Sequence, residues 1–346
     1  MRTEDADRRA PLGGLGLAGA LAGLALFVGV IAWQGVGQVL AALAVAGPGL
    51  LLVAAFHVAP LVTNAIGWRR LLPADGPGLA VVTRARWVGE SVNGLLPVAQ
   101  IGGNVARATM LARRGVPAGT AGASVVVDIT MNVVAQIAFT LCGLGVLLAT
   151  VGARLAVPVL IGTAVMSALL LGFYLSQRRG LFGGGARVLD RLSRRVARGD
   201  FARGAAALDS EVQRLYGDRA ALRVTAAWHF VSWVLGAGEV WLGLYWLGHP
   251  VGPVTALLIE SLGQALRSAA FLVPGALGIQ EGGYLLLGAA FGLDPATALA
   301  LSLVKRTREV LLGVPGLAMW LAEESAVRLP APRAAADDVG VDEGRR

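Results

Sequence analysis

Long apolar runs separated by short polar segments make up most of this chain. Runs of about the length that a lipid bilayer requires are predicted to be membrane-spanning helices. They are Leu12–Trp33, Pro48–Ile66, Ala121–Ala149, Leu155–Ser176, Val224–Leu247 and Ala296–Leu321. The pattern therefore predicts an all-α polytopic membrane protein with about six transmembrane helices.

Two further apolar segments, Trp87–Gly115 and Val254–Gly292, are interrupted by proline and glycine. In the first, the stretch from Trp87 to Leu96 precedes Pro97, and at about 1.5 Å per residue it crosses only about half of a hydrocarbon core of about 30 Å. Irregular backbone at that depth needs cover from protein or from an aqueous cavity. Each segment is therefore predicted to be a re-entrant hairpin, in which a short helix, a break and a short returning helix follow one another.

The two broken segments share an order of residue types, which predicts an inverted repeat. Both contain Glu-Ser, then proline, then Gly-Gly. The residues concerned are Glu90, Ser91, Pro97, Gly102 and Gly103 in the first segment, and Glu260, Ser261, Pro274, Gly282 and Gly283 in the second. Broken helices at matching positions of two halves are typical of binding sites in secondary transporters.

Composition and charge also indicate a membrane protein. The chain has 346 residues, of which 55% are hydrophobic and 15% charged, and its mean hydropathy is +0.66, which is too apolar for a soluble domain of this size. The net charge of +8 comes from arginines concentrated in particular loops, and this distribution follows the positive-inside rule rather than nucleic-acid binding. We expect a multi-pass protein of the bacterial inner (plasma) membrane with both termini in the cytoplasm.

The domain organisation follows from the same charge distribution. Residues 1–11 are predicted to be a cytoplasmic N terminus, and residues 12–322 a transmembrane domain that includes a basic cytoplasmic loop at 177–223. Residues 323–346 are rich in proline, alanine and mixed charge, which predicts a disordered tail.

Metal and nucleotide chemistry find no support in the sequence. Cys142 is the single cysteine, and His57, His229 and His249 are dispersed without metal-ligand spacing. The many glycines never form the phosphate-binding loop of nucleotide hydrolases. We therefore expect neither a metal nor a cofactor.

Ionisable residues within the apolar segments are the candidate functional residues, because a charge at membrane depth is costly and usually faces a cavity or a partner. They are Glu90, Arg107, Asp128, Glu239, Glu260, Arg267, Glu281, Lys305, Arg306, Arg308 and Glu309. Two interpretations stay open at this point. These residues form structural ion pairs, or they bind the headgroup of a ligand.

Arg107 favours ligand binding. Asn104 has the chemistry of an N-cap and Gly115 that of a C′ residue, so Arg107 is predicted at the third position of the returning helix. The helix dipole disfavours a cation there. Either Glu90 or a bound anion must compensate it, and the planar arginine fork matches phosphate.

The last span holds a second cluster of charges. Glu309 lies three residues from Arg306 and four from Lys305, so it can neutralise one of these cations within the helix. The others need partners from elsewhere. We expect Arg267 to pair with Glu309, and Glu260 or Glu281 to pair with Lys305 or Arg308.

Two sequence segments resemble a known family. LLPVAQIGGNVARATMLARRGVP, followed by ASVVVDITMNVV, is similar to the Pro-x-x-x-x-Gly-Gly-Asp-x-x-Arg signature of the lysylphosphatidylglycerol synthase transmembrane, or flippase-like, family. FLVPGALGIQEGGYLLLGAAFGLDPATALALSLVKRTREVLLGVPGL resembles its second signature, Pro-Gly-x-x-Gly-x-x-Glu followed by Arg-x-x-Glu. The resemblance extends from about Leu12 to Glu324, and within the family it is greatest to the hopanoid-biosynthesis-associated membrane proteins.

The resemblance implies a set of site residues. They are Pro97, Gly102, Gly103, Arg107, Asp128, Pro274, Gly275, Gly278, Glu281, Arg306 and Glu309. Asn104 departs from the signature, since the family commonly has aspartate there. The complete expected substrate-binding set adds Glu90, Glu260, Arg267, Lys305 and Arg308 from the charge analysis.

The resemblance also implies a function. We expect a flippase or transporter that moves or presents an amphiphilic lipid, either an anionic phospholipid or a hopanoid, and not an aminoacyl transferase, because that activity of the bifunctional family members resides in a separate domain. One alternative is an accessory protein that recruits lipid-biosynthesis enzymes. The other is an intramembrane enzyme using Glu90, Asp128 or Glu281 as acid or base.

Overall fold

The computed structural model describes residues 44–96, 101–150, 200–269 and 279–328, together with a few positions between 164 and 175. Within these ranges the chain forms helices and no strands, which confirms the all-α fold of a polytopic membrane protein. The helices are α1 (Gly49–Arg69), α2 (Leu79–Leu95), α3 (Gly102–Ala112), α4 (Ala118–Thr150), α5 (Asp200–Gly217), α6 (Arg219–Trp246), α7 (Pro253–Ala269), α8 (Ile279–Ala290) and α9 (Pro295–Arg328).

The helices form two halves with the same order of elements. In each half a long helix precedes a pair of shorter helices, and a second long helix follows them. The packing between the halves is also equivalent. The first short helix of each half packs on the final long helix of the other half, α2 on α9 and α7 on α4.

The central pair of helices, α1 and α6, run antiparallel. The start of α6 lies at the end of α1, where the Thr225 hydroxyl donates a hydrogen bond of 2.9 Å to the Gly67 carbonyl. The end of α6 lies at the start of α1, where a Cβ on Gly49 would overlap the ring of Trp246. The two ends of the molecule are therefore about 30 Å apart, the length of α1.

The two hairpins begin and end at opposite ends of the molecule. The first follows α1 and returns to the same end, where Arg113 pairs with Glu324 near the end of α9 at 2.9 Å. The second follows α6, and at its base His249 and Asp294 lie 3.8 Å apart. This arrangement is the one that the predicted inverted repeat requires.

The returning helices of both hairpins end in the same way. Gly115 has a φ of +91° and Gly292 a φ of +76°, a region that glycine enters without steric cost. The next amide in each case bonds five residues back, Val116 to Leu111 at 3.2 Å and Leu293 to the carbonyl of residue 288 at 2.8 Å. These are Schellman caps, and the prediction of Gly115 as a C′ residue is confirmed.

The arms of the first hairpin touch through glycine. A Cβ on Gly89 would lie 3.0 Å from the Gly103 carbonyl oxygen and 2.5 Å from carbons of the Arg107 side chain. The Gly103 amide also donates a hydrogen bond of 2.8 Å to the side-chain oxygen of Asn93 on the opposite arm. Glycine is therefore required here for close packing of backbone against backbone.

Several predicted boundaries are corrected. The first hairpin helix begins at Leu79 rather than near Trp87, because the apolar face continues through the arginines that the sequence suggests for a loop. Residues 200–217 of the basic segment form helix α5, which packs on the start of α4. By length and composition alone, Gly49–Arg69 and Ala118–Ala149 are the helices of the described ranges that could cross a membrane.

Two predicted spans are not covered. Leu12–Trp33 lies outside the described residues, and Leu155–Ser176 lies almost entirely outside them. The assignment of residues 1–11 to a cytoplasmic N terminus stays a prediction. Residues 323–328 of the predicted disordered tail belong to α9, and the rest of that tail lies outside the described residues.

Candidate functional site

Asp128 on α4 is the centre of the first buried cluster. Its carboxylate is 0% exposed and has three charged or polar neighbours. Oδ2 accepts hydrogen bonds from Arg86 Nη1 at 2.8 Å and from Arg107 Nη2. Oδ1 lies 2.9 Å from Nε2 of His229 on α6. The single carboxylate of Asp128 therefore compensates the charges of two buried arginines. A buried ion without such a partner would be strongly destabilising.

Arg107 on α3 has a second set of neighbours. Its guanidinium lies 4.0 Å above the ring of Trp68, a cation-π arrangement, and Nη1 donates a weak bond of 3.3 Å to the Asn104 side chain. Among the described residues, Nε of Arg107 has no hydrogen-bond partner. A buried donor of this kind can be satisfied by a ligand oxygen.

Two predictions about Arg107 are wrong. The helix begins at Gly102 with Ile101 before it and no side-chain cap, so Asn104 is not the N-cap and Arg107 is the sixth residue. Asp128 rather than Glu90 neutralises Arg107, because the long helix α4 passes beside the start of α3.

Arg86 is the unexpected member of this cluster. The positive-inside rule predicts Arg86 in the loop that precedes the first hairpin, yet it is buried within α2. Its Nε donates to Glu90 Oε1 at 2.8 Å, one helical turn further along. Arg86 therefore links the carboxylate of Asp128 to that of Glu90.

Lys305 on α9 is the centre of the second buried cluster. It forms an ion pair with Glu260 on α7, and its other neighbour is the hydroxyl of Tyr284 on α8. Gln264 donates a hydrogen bond of 2.9 Å to Glu260, again from one turn further along the same helix. The predicted pairing of Glu260 with Lys305 is confirmed.

The two clusters occupy the same positions of the two halves. Arg86 and Glu260 are each the eighth residue of the first short helix. Arg107 and Tyr284 each lie eight residues before the glycine that ends the returning helix, Gly115 in the first half and Gly292 in the second. Asp128 and Lys305 are each the eleventh residue of the long helix that follows. Each half thus brings three equivalent positions together, while the charge at the first and third positions is reversed.

This register differs from the one that the shared sequence order suggests. Glu90 and Glu260 are not equivalent, because the counterpart of Glu90 is Gln264, the twelfth residue of its helix. Gly102 and Gly103 lie 13 and 12 residues before Gly115, whereas Gly282 and Gly283 lie 10 and 9 residues before Gly292. The helix ends, rather than the order of residue types, therefore set the correspondence.

His57 on α1 lies among charged groups from both halves of the protein. Its Nδ1 lies 2.5 Å from Glu239 on α6, and its Nε2 lies 3.8 Å from Glu90 on the first hairpin. Arg308 Nη1 on α9 lies 2.6 Å from Nδ1 and 2.9 Å from Nε2 of the same ring. A single imidazole therefore contacts charged groups from both halves.

The network continues from Arg308 into the second hairpin. Arg308 approaches Glu239 and Glu309, in each case at 3.6 Å. Glu309 in turn pairs with Arg267 of α7 at 3.2 Å, which confirms the predicted pairing. Ionic groups thus extend without interruption from Asp128, which is fully buried beside the first hairpin, through the partly exposed Glu90 and His57 to Arg267 of the second hairpin.

The remaining predicted site residues are placed as follows. Arg306 lies on α9 beside this network and is partly buried. Gly102 and Gly103 begin α3 at the close contact of the hairpin arms. Pro97, Pro274, Gly275 and Gly278 lie outside the described residues, and of Glu281 only the backbone in α8 is described. Their role in ligand binding stays a prediction.

Several contributing residues escape sequence reasoning. His57, Asn64, Trp68, Arg86, His229 and Tyr284 all contact the network. His229 and His57 carried a usable signal, since a histidine within an apolar run needs a buried partner. Trp68 and Tyr284 carried none, because aromatic residues in apolar helices most often serve packing alone.

Among the described residues, no group of three or more histidine, cysteine, aspartate or glutamate side chains is arranged to hold a metal ion.

Comparison with known proteins gives a family. No curated protein sequence and no solved structure shows significant similarity to the chain. The family model of the lysylphosphatidylglycerol synthase TM region matches residues 20–316, which include all of the clusters described above. The chain therefore belongs to the lysylphosphatidylglycerol synthase transmembrane family.

Proposed function

We propose that this protein moves or presents an amphiphilic lipid across the bacterial inner membrane, with the lipid headgroup passing between the two hairpins. The observation that carries the proposal is the continuous network of buried and partly exposed ionic groups from Asp128 to Arg267, which joins two hairpins inserted from opposite ends. Membership of a membrane lipid-related family supports a lipid as the cargo. In this proposal the chain is not an enzyme.

The energetic problem of lipid transfer is the headgroup. A charged group in hydrocarbon loses its hydration, whereas the acyl chains lose nothing by staying in lipid. The network can replace water because its members can exchange partners. Arg107 is the best placed for this exchange, since it already has one unsatisfied donor and shares its only carboxylate with Arg86.

The chemistry of Arg107 favours a phosphate-bearing headgroup. Its guanidinium presents a planar fork that matches two phosphate oxygens, and stacking on Trp68 fixes the plane of that fork. The amides at the start of α3 add partial positive charge nearby. Anionic phospholipids are therefore the first class of lipid to test, and hopanoids with polar headgroups the second.

Reconstitution into liposomes tests the proposal. Vesicles containing a fluorescent NBD-phosphatidylglycerol are treated with dithionite, which quenches only the outer leaflet. We expect wild-type protein to make the inner-leaflet label accessible over time, and Arg107→Ala to reduce that rate by about tenfold or more, which corresponds to about 1.4 kcal/mol. Arg223→Ala is the matched control, because Arg223 is an exposed arginine at the start of α6.

Arg107→Lys separates ligand binding from folding. Lysine keeps the charge that neutralises Asp128 but loses the planar fork. We expect normal folded yield by size-exclusion chromatography together with reduced lipid movement. Well-folded Arg107→Ala and Arg107→Lys proteins that move lipid as fast as wild type would refute the proposal.

A further inference from the structure

We infer that His57 is a proton-binding site that couples proton movement to the exchange of the lipid site between the two membrane faces. This inference rests on the proposed function and adds the coupling ion to it. It is carried by the position of one imidazole among charged groups from both halves of the protein.

The charged groups that face His57 come from three helices. Glu90 approaches from α2, Glu239 from α6 and Arg308 from α9. The remaining helix packed against α1 is α4, and its Asp128 is occupied by His229 and the two arginines instead. The imidazole therefore lies between two carboxylates and one guanidinium.

The two ring nitrogens face two carboxylates. Nδ1 lies 2.5 Å from Glu239 and Nε2 lies 3.8 Å from Glu90, and a carboxylate can only accept a hydrogen bond. Arg308 Nη1 lies 2.6 Å from Nδ1 and 2.9 Å from Nε2, so it approaches the ring itself and does not lie along the lone pair of either nitrogen. A doubly protonated ring presents an N–H group to each carboxylate, whereas a neutral ring presents only one. The site thus has two alternative sets of contacts.

The number of protons on the ring selects between these sets. With a proton on both nitrogens, His57 donates to Glu239, attracts Glu90 at 3.8 Å and repels Arg308. Arg308 then moves toward Glu309 and the second oxygen of Glu239, both already 3.6 Å away. With one proton removed to water, the ring no longer repels Arg308, and its single N–H group stays with Glu239 and releases Glu90.

This exchange changes the contacts between the halves. Glu90 belongs to the first hairpin, and Glu239 and Arg308 belong to the second half. A doubly protonated ring therefore draws the first hairpin toward α6, while a neutral ring favours α9. Glu90 is 38% exposed and His57 20% exposed, so water can deliver the proton.

His229 provides a contrast within the same protein. It is completely buried, and its two nitrogens contact Asn64 and Asp128, neither of which competes for the same atom. The side-chain amide of Asn64 can turn to present its NH2 group to Nδ1, and a neutral tautomer that donates from Nε2 to Asp128 then satisfies both contacts. A proton-coupling role therefore belongs to His57 and not to His229.

Nitrogen NMR of histidine tests proton binding without reference to lipid. The full chain in nanodiscs is labelled with 15N-histidine, and its three imidazoles are assigned by His57→Gln and His249→Gln. We expect the His57 signal to change between about pH 5 and pH 8, the range in which imidazoles titrate, and Glu239→Gln to move the midpoint of this change to lower pH. A His57 signal that stays constant across the range would overturn the inference.

The coupling itself is tested in the NBD-phosphatidylglycerol vesicles. We expect an imposed pH gradient to change the initial rate of lipid movement by about tenfold in wild-type protein and in His249→Gln, and to have no effect in His57→Gln. Lipid movement that responds to the gradient equally in His57→Gln would refute proton coupling through His57 while leaving the proposed function intact. Absence of lipid movement at every pH would refute the proposed function, whatever His57 does in the NMR experiment.

Discussion

Glu260 and Lys305 form an ion pair whose side chains are only 3% and 5% exposed, although the residues come from different helices of the second half. Removing one partner of such a pair leaves a buried charge without compensation, which costs about 3 to 5 kcal/mol. We expect Lys305→Met and Glu260→Gln each to lower the thermal unfolding temperature in detergent strongly.

The double variant checks this explanation. Glu260→Gln combined with Lys305→Met leaves no isolated charge at the position of the pair, so we expect it to be more stable than Lys305→Met alone. Losses of the two single variants that simply add in the double variant would show that the two side chains do not interact energetically.

The carboxylates of Asp128 and Glu90 differ in burial and in their partners, which gives a second prediction. Asp128 is fully buried and contacts two arginines and a histidine, whereas Glu90 is partly exposed and contacts Arg86 and His57. We expect Asp128→Asn to lower the unfolding temperature and the folded yield far more than Glu90→Gln does. Fluorescence-detected size-exclusion chromatography measures both quantities. A larger loss with Glu90→Gln would contradict the central role of Asp128.

Close packing of the first hairpin makes a third prediction. A Cβ on Gly103 would overlap the carbonyl oxygen of Gly89, which belongs to the backbone and cannot rotate away. We therefore expect Gly103→Ala to destabilise the protein by about 1 to 3 kcal/mol through overpacking. Gly94→Ala is the matched control, since nothing lies within 4 Å of a Cβ there, and it is expected to be neutral or slightly stabilising.

The opposite ends of the two hairpins make a fourth prediction. In a Cys142→Ala background, single cysteines replace His249 at the base of the second hairpin and Arg114 at the base of the first. We expect a membrane-impermeant thiol reagent to label His249→Cys in intact cells and Arg114→Cys only after permeabilisation. Labelling of both from one side would contradict the inverted arrangement.

The helices and two of the ion pairs could be predicted from sequence because their causes are local. Apolar length indicates a buried or membrane helix, and the glycine of a Schellman cap, as at Gly115, has a conformational requirement that few other residues meet. The pairs of Glu260 with Lys305 and of Arg267 with Glu309 followed from an excess of charge that had to find a partner. Such constraints are visible without any three-dimensional information.

The partners of Arg107 and His57 could not be predicted in the same way. Glu239 lies 182 residues from His57 along the chain and His229 lies 101 residues from Asp128, so only the packing of α6 against α1 and against α4 brings these pairs together. Arg86 was assigned to a loop because charge normally indicates exposure. Its burial depends on the carboxylate of Asp128, which another helix supplies.

The reversed charges of the two clusters have a consequence for the resting state of the protein. If the halves were chemically identical, the conformation open to one membrane face and the conformation open to the other would be related by symmetry and equal in energy. Arg86 with Asp128 in one half and Glu260 with Lys305 in the other remove that equality. A difference of only about 1.4 kcal/mol populates one conformation about ten times more than the other. The empty protein is therefore expected to prefer one of the two conformations, a bias that affects which membrane face the site meets at rest but gives no net direction to transport.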